Sequence, residues 1–307
     1  MTIVCTASKI YFENLKALIN SIAINYPAAV IVIRLVNCDK EDHALVQSWY
    51  TNLRIIPVTY TCSTSRIHLN RNGALLQDGL FNIYDSNRSS FRGARWLYSD
   101  FMARCINDRY QIILDLFNEG SEQVLSIDAD TIIRKDLSPL KDILSKHDII
   151  LHGEIVNSGK VVPFGDIIDI NNIPHLTRDE YLEKEYKPNN PDYIEWHTGV
   201  IGFNNTQKSI DFLKDYTDIL LKPENVHIWG AEEEEIYFLF KDKHRDVKIY
   251  NIPIMFKDEG YGTERRVGSN IYRDSSYIWV GAGQNKYNCT MFTDEVKKYE
   301  VTDYMHK

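Results

Sequence analysis

The chain has 307 residues, 44% hydrophobic and 25% charged, and its 35 basic against 43 acidic side chains leave a formal charge of −8. This composition excludes disorder and fibre and supplies ample apolar surface for a core, in one large α/β domain or two small ones. The acidic balance disfavours a phosphate-backbone partner, which leaves nucleic acid only as an acceptor.

The opening reads strand, helix, strand. Ile3 to Thr6 is a short β-rich run, Glu13 to Asn25 carries Leu15, Leu18, Ile19 and Ile22 at helical spacing, and Val30 to Val36 is apolar. Continuous rather than alternating apolar strands imply a sheet covered on both faces, hence a parallel α/β core. A further strand is expected at Leu53 to Tyr60. Cys62 to Arg92 is polar and without periodicity, and reads as an irregular segment able to order over a substrate. Gly93 to Phe117 then turns helical, with Trp96, Leu97, Phe101, Ile106, Ile112, Ile113 and Leu116 at three- and four-residue steps and Gly120 as its stop.

Val124-Leu125-Ser126-Ile127-Asp128-Ala129-Asp130-Thr131-Ile132-Ile133 follows, an apolar strand interrupted by two carboxylates. Beyond it the pattern predicts a short helix at Leu137 to Leu144, a strand at Ile149 to Leu151, and a weakly patterned insertion from Asn157 to Asn190. A strand at Trp196 to Asn204, helices at Ser209 to Leu221 and Glu232 to Phe240, and strands at Val247 to Ile252 and Tyr277 to Gly283 complete the chain. The two irregular stretches are where acceptor specificity is expected. No linker separates independent units, so residues 1–307 read as one domain.

No stretch approaches the roughly 20 apolar residues a bilayer requires, so no stable membrane insertion is expected. Met1-Thr2-Ile3-Val4-Cys5 has neither a basic n-region nor a cleavage site, and a cytoplasmic location is expected. The five cysteines are scattered without a C-x-x-C pair, which fits reduced thiols better than disulfides or zinc. The sequon Asn288-Cys289-Thr290 is then expected to be unused.

Asp128 and Asp130 are two apart, so they project to the same side if the strand persists through Ala129. Both carboxylates then reach one cation, and hard oxygen ligands select Mg²⁺ or Mn²⁺ over Zn²⁺. Strand carboxyl ends of open α/β sheets are where ligands bind, and a two-carboxylate site leaves positions for a substrate diphosphate. A surface turn with two acids is the competing reading, opposed by the buried character of the flanking runs.

The string from Val124 to Leu137 resembles the D-x-D segment of nucleotide-sugar glycosyltransferases of the GT-A fold, particularly the galactosyltransferase and glycogenin-like group. Other segments are similar in order: Thr6-Ala7-Ser8-Lys9-Ile10-Tyr11, Arg95, His197-Thr198-Gly199-Val200-Ile201-Gly202-Phe203-Asn204, Glu232-Glu233, and Gly281 to Lys286. The resemblance implies a mixed, mostly parallel central sheet flanked by helices. It also implies a Rossmann-like nucleotide half (1–133) and an acceptor half with a C-terminal closing segment (134–307).

The same resemblance implies a metal-dependent transferase that moves a sugar from a nucleoside-diphosphate donor, a UDP-hexose, to a glycan or other hydroxyl-bearing acceptor, with retention favoured over inversion. Asp128 and Asp130 would hold Mn²⁺ or Mg²⁺. The donor would lie against Thr6, Ala7, Tyr11, Arg95, Asp128, Ala129, His197, Thr198, Gly199, Gly283 and Lys286, with Asp130, Glu232 and Glu233 as catalytic carboxylates. Only one or two of the acids from Glu232 to Glu235 can face the site, because neighbours on a helix diverge by about 100°. The family's third metal ligand, a histidine before the closing glycines, has no counterpart in Ile278-Trp279-Val280-Gly281, and His197 replaces the usual asparagine.

Two alternatives stand beside this reading. A haloacid-dehalogenase-type phosphatase would use Asp128 as nucleophile, but that motif belongs on a first core strand, and Ile132 stands where Thr or Val is expected. A glycan- or nucleotide-binding module would keep the fold without turnover.

Overall fold

The computed structural model describes residues 1–61, 67–69, 75–76, 95–97, 100–156, 193–222, 231–252, 257–258, 276–281 and 290–300. In chain order the strands are β1 (Thr2–Ala7), β2 (Val30–Val36), β3 (Leu53–Val58), β4 (Ile67–Leu69), β5 (Leu75–Leu76), β6 (Arg95–Leu97), β7 (Gln123–Ile127), β8 (Thr131–Ile133), β9 (Ile149–Val156), β10 (Tyr193–Asn204), β11 (Ile249–Asn251), β12 (Lys257–Asp258) and β13 (Ile278–Val280). The helices are α1 (Phe12–Asn25), α2 (Lys40–Gln47), α3 (Asp100–Asn107), α4 (Gln111–Asn118), α5 (Ser138–Leu144), α6 (Gln207–Leu220), α7 (Ala231–Asp242) and α8 (Thr290–Glu300).

Among the described residues the main sheet runs β11-β9-β10-β7-β1-β2-β3. It is mixed and mostly parallel: β10 alone runs antiparallel to its neighbours β7 and β9, while β7, β1, β2 and β3 are parallel to one another. Alternation along the strands sends Ile3, Cys5, Ala7, Ile31, Ile33 and Leu35 toward α1, α2 and α5. Val4, Val32, Val124 and Ile201 go toward α4, α6 and α7. Both faces are dry, as the continuous apolar runs predict.

Local chemistry sets the element ends. Asp39 accepts a bond from the Asp42 N–H at 2.8 Å and completes a capping box at the start of α2. Thr206 caps α6 by accepting from the Ser209 N–H at 3.2 Å. Gly120, at φ 98°, turns the chain out of α4, and the Ser121 N–H closes back on the Leu116 carbonyl at 2.9 Å.

A second sheet, β12-β13-β8, is locked to α1. The Ser21 hydroxyl accepts the Ile133 N–H at 3.0 Å, and Asn25 donates to the Ile133 carbonyl at 2.8 Å. From the far side, α8 buries Phe292, Val296 and Tyr299 against Ala17, Ile132 and Trp279.

Three expectations are corrected. The helix expected from Gly93 begins instead as strand β6, paired with β4 in a small β5-β4-β6 sheet, so two short strands also lie inside the stretch expected to be irregular. Strand pairing overrides the local helical spacing of Trp96 and Leu97. The remainder of that helix is split by a 3₁₀ turn at Asp108–Tyr110, whose tighter winding re-aims the residues on it. Helices α2 and α8 have no counterpart among the expected elements. The expected insertion from Asn157 to Asn190 lies outside the described residues.

Candidate active site

The chain leaves β1 for β2 and β3 on one side and returns to β7 on the other, so the carboxyl ends of β1 and β7 flank a topological switch point. The parallel register pairs Thr2 with Val124, Ile3 with Leu125 and Val4 with Ser126, and Thr6 and Asp128 each follow two residues beyond its last pair. The Thr6 hydroxyl is buried and has no hydrogen-bond partner among the described residues. Ala7 is buried, and Tyr11, in the 3₁₀ turn after β1, packs half-buried against the core under α1.

The aspartates do not ride on one strand. β7 ends at Ile127, the chain turns through Ala129 and Asp130, and Thr131 starts β8 in the other sheet. Two different strands hold the ends of this turn: the Asp128 N–H donates to the Gly199 carbonyl at 3.0 Å, and the Asp130 carbonyl accepts from the Gly281 N–H at 2.7 Å. Burial pushes the Cys5 thiol well up, and the charges of Asp128 and then Asp130 add to the rise.

Asp128 Oδ2 faces Gly199, where a Cβ would lie 3.1 Å away, so the missing side chain leaves that oxygen open. Asp128, with Gly199 beside it, and Asp130 two residues on carry the carboxylate oxygens that suit a hard divalent cation, whose remaining ligands would come from elsewhere. Among the described residues no third His, Cys, Asp or Glu joins them. Ile278-Trp279-Val280, the run before Gly281 that lacks the histidine of the resemblance, is buried as β13, with Ile278 opposite Ile133.

The cation that the fold does place here is Arg109, on the 3₁₀ turn between α3 and α4. Its Nη1 donates to Asp128 Oδ1 at 2.6 Å, and its Nη2 to Tyr110 Oη at 2.9 Å and the Thr198 carbonyl at 3.5 Å. Burial opposes its charge, yet Tyr110, Asp128 and Glu232 more than compensate and keep the guanidinium ionised. Arg95, expected in this role on a helix, sits instead in β6 opposite Leu69, and its side chain is outside the described set.

Sequence reasoning missed Arg109, although a signal exists. Arg109 and Tyr110 occupy the slot of the apolar stripe between Ile106 and Ile113, and a charge at a core position demands a buried partner.

Glu232 and Glu235, three apart on α7, are buried, whereas Glu233 and Glu234 are half-exposed. Burial raises the Glu232 carboxyl to about 6, with Arg109 opposing the rise and Asp128 adding to it. Its Oε2 is buried without a hydrogen-bond partner among the described residues. Tyr216 holds the backbone in place by donating to the Glu232 carbonyl at 2.6 Å, and its ring lies 4.7 Å from that of Tyr110.

Strand β10 forms the remaining wall. His197 pairs with His152 and Ile201 with Leu151, so β10 advances four residues while β9 advances one. The resulting bulge carries the Thr198 carbonyl to Arg109 and Gly199 to Asp128. His197 stacks on the buried His152 with ring centroids 5.4 Å apart, and His152 Nδ1 is bonded to the Ile252 carbonyl at 2.8 Å. Gly281 closes the site just past the end of β13, while Gly283 and Lys286 lie outside the described residues.

No family model matches the chain, and no curated protein matches it by sequence. Solved structures do match in fold. The glycosyltransferase GlyE of Streptococcus pneumoniae TIGR4 aligns at TM-score 0.57 and 13% identity over 99% of this chain and 61% of its own. The bifunctional glycosyltransferase WbbM aligns at TM-score 0.57 and 18% identity over 99% of this chain and 50% of its own. The galactosyltransferase LgtC, solved in complex with donor and acceptor sugar analogs, aligns at TM-score 0.50 and 13% identity over 99% of this chain and 98% of its own. The chain therefore has the GT-A glycosyltransferase fold. It spans less than two thirds of the length of GlyE and WbbM.

Proposed function

We propose that the protein is a metal-dependent glycosyltransferase that moves a hexose from a UDP-linked donor to a hydroxyl of a glycan or other acceptor, with retention at the anomeric carbon. The observation that carries the reading is the position of Asp128: at the end of β7, across the switch point from Thr6, within the field of the buried pair Arg109 and Glu232. The fold shared with GlyE, WbbM and LgtC supports it.

In this reading Asp128 and Asp130 hold Mn²⁺ or Mg²⁺, which supplies neutralisation of charge on the leaving diphosphate. Thr6, Ala7 and Tyr11 line the nucleotide end, with 1–133 as the donor half and 134–307 as the acceptor half. Gly199, lacking a side chain, lets the donor approach Asp128 closely. Thr198 and His197, with Arg95, Gly283 and Lys286, complete the donor contacts. In the metal-free state Arg109 orients Asp128 through Oδ1. Glu232, ionised above about pH 6, supplies negative charge opposite the positive charge that develops on the sugar, and Glu233 reaches toward the acceptor. With retention, the proton of the acceptor hydroxyl passes to the leaving diphosphate.

The phosphatase alternative needs Asp128 on the first core strand, and it follows β7 instead. Calorimetry and donor hydrolysis with a panel of nucleotide-sugars, with Mn²⁺ and with chelator, test the proposal. Metal-dependent binding and slow hydrolysis of one donor, both lost in Asp130→Ala, are expected. Binding of no donor sinks the reading.

A further inference from the structure

Arg109 is a buried cation bonded to a carboxylate that the proposed function assigns to a metal. Its Nη1 lies 2.6 Å from Asp128 Oδ1, while its Nε is buried and has no acceptor among the described residues. Glu232 joins the same cluster through Tyr110, which accepts from Arg109 Nη2 at 2.9 Å, and Tyr216, whose ring lies 4.7 Å from that of Tyr110 and whose hydroxyl donates to the Glu232 carbonyl, and its Oε2 is buried and unbonded among the described residues. Two anions thus share one cation, and only one of them is hydrogen-bonded to it. A donor and an acceptor left vacant in the same buried cluster are a cost the fold carries for a reason.

We propose that Arg109 is an exchangeable counter-ion, neutralising Asp128 in the metal-free protein and turning to Glu232 when a divalent cation takes Asp128. The inference rests on the metal-dependent transferase reading and gives that site a loading rule. A cation arriving alone at Asp128 must compete with its charge-assisted bond to the guanidinium and then sit beside a like charge. A cation arriving with a diphosphate brings phosphoryl ligands of its own and negative charge for the guanidinium to face. Glu232 prevents the displaced Arg109 from being stranded without a partner, the costliest state for a buried charge. Metal and donor then load together, and the site does not fill with metal alone.

The test is a Mn²⁺ titration followed by the paramagnetic resonance of the free ion at pH 7.5, with and without UDP, and thermal melts to establish folding. In the wild type Mn²⁺ binds weakly alone and tightly with UDP. Arg109→Met tightens nucleotide-free binding by about tenfold or more and shrinks the gain from UDP, whereas Arg109→Lys, which keeps the charge, stays near wild type. Glu232→Gln, which removes the second carboxylate, weakens nucleotide-free binding, and this variant decides the matter if Arg109→Met has no melting transition.

Unchanged or weaker nucleotide-free binding in a folded Arg109→Met overturns the proposal, as does unchanged binding in Glu232→Gln. Equal wild-type affinity with and without UDP overturns this inference alone. No Mn²⁺ binding under either condition overturns the transferase reading together with it.

Discussion

Gly281 donates its backbone N–H to the Asp130 carbonyl at 2.7 Å, and a Cβ on Gly281 would meet the Phe292 ring at 2.8 Å and that carbonyl at 3.1 Å. The C-terminal strand β13 therefore sets the placement of the second aspartate through backbone alone. Neither neighbour is the far end of a flexible chain. Gly281→Ala is expected to cost about 1–3 kcal/mol, seen as a lower melting temperature, and to weaken Mn²⁺ binding in the same variant. A melting temperature equal to wild type would show that Phe292 and the turn move aside freely.

Gly199→Ala offers the contrast. Its Cβ would lie 3.1 Å from Asp128 Oδ2 and 3.4 Å from Val280 Cγ1, against side chains and not backbone. Stability is expected to change by under about 1 kcal/mol, while Mn²⁺-dependent donor binding falls at least tenfold. Loss of both in parallel would assign Gly199 to packing.

Asp128→Asn and Asp130→Asn are both expected to abolish metal-dependent donor binding, but Asp128→Asn alone strips Arg109 of its carboxylate bond. Asp128 is partly exposed, which moderates the penalty to about 2 kcal/mol. Urea denaturation of the two variants in chelator reads the difference, and equal midpoints would contradict the ion pair.

Glu232 has a pH signature. Burial raises its carboxyl from 4.5 to about 6, so the folded state binds the proton more tightly than the unfolded chain. The stability this contributes is present below pH 4.5 and is lost as pH rises through 6, a change of about 2 kcal/mol. Glu232→Gln is therefore expected to gain stability relative to wild type at pH 8 and not at pH 4. The same variant is expected to lose the acid limb near pH 6 in kcat/KM, with kcat down about a hundredfold. A wild-type pH profile in the variant would remove Glu232 from the chemistry.

The parallel core was legible because β1, β2 and β7 are continuous apolar runs, and the aspartates because two charges interrupt such a run. The geometry of the pair was not. Period-two reasoning assumed an unbroken strand, and nothing local announces that Gly199 and Gly281, far along the chain, pull the turn out of line. Arg109 escaped because its place in the apolar stripe between Ile106 and Ile113 signals burial but not which carboxylate it meets, and that partner, Asp128, lies beyond the next helix. The repeat of Phe292, Val296 and Tyr299 at four- and three-residue steps was a readable sign of α8. By contrast α2 buries little beyond Val46 and Asp42 and carries almost no periodic signal.

The bulge in β10 separates the strand into two mechanically independent parts. Val200 to Asn204 are held in register by β7, whereas Tyr193 to His197 answer only to β9. In an unbroken strand, losing one residue turns every side chain beyond it to the opposite face. Here Thr198 and Gly199, ahead of the Val200–Ile127 pair, absorb such a change before it reaches the core. A change of length at these two residues can thus reshape the wall beside Asp128 while the sheet stays in register, which makes this short segment a natural place for related chains to diverge.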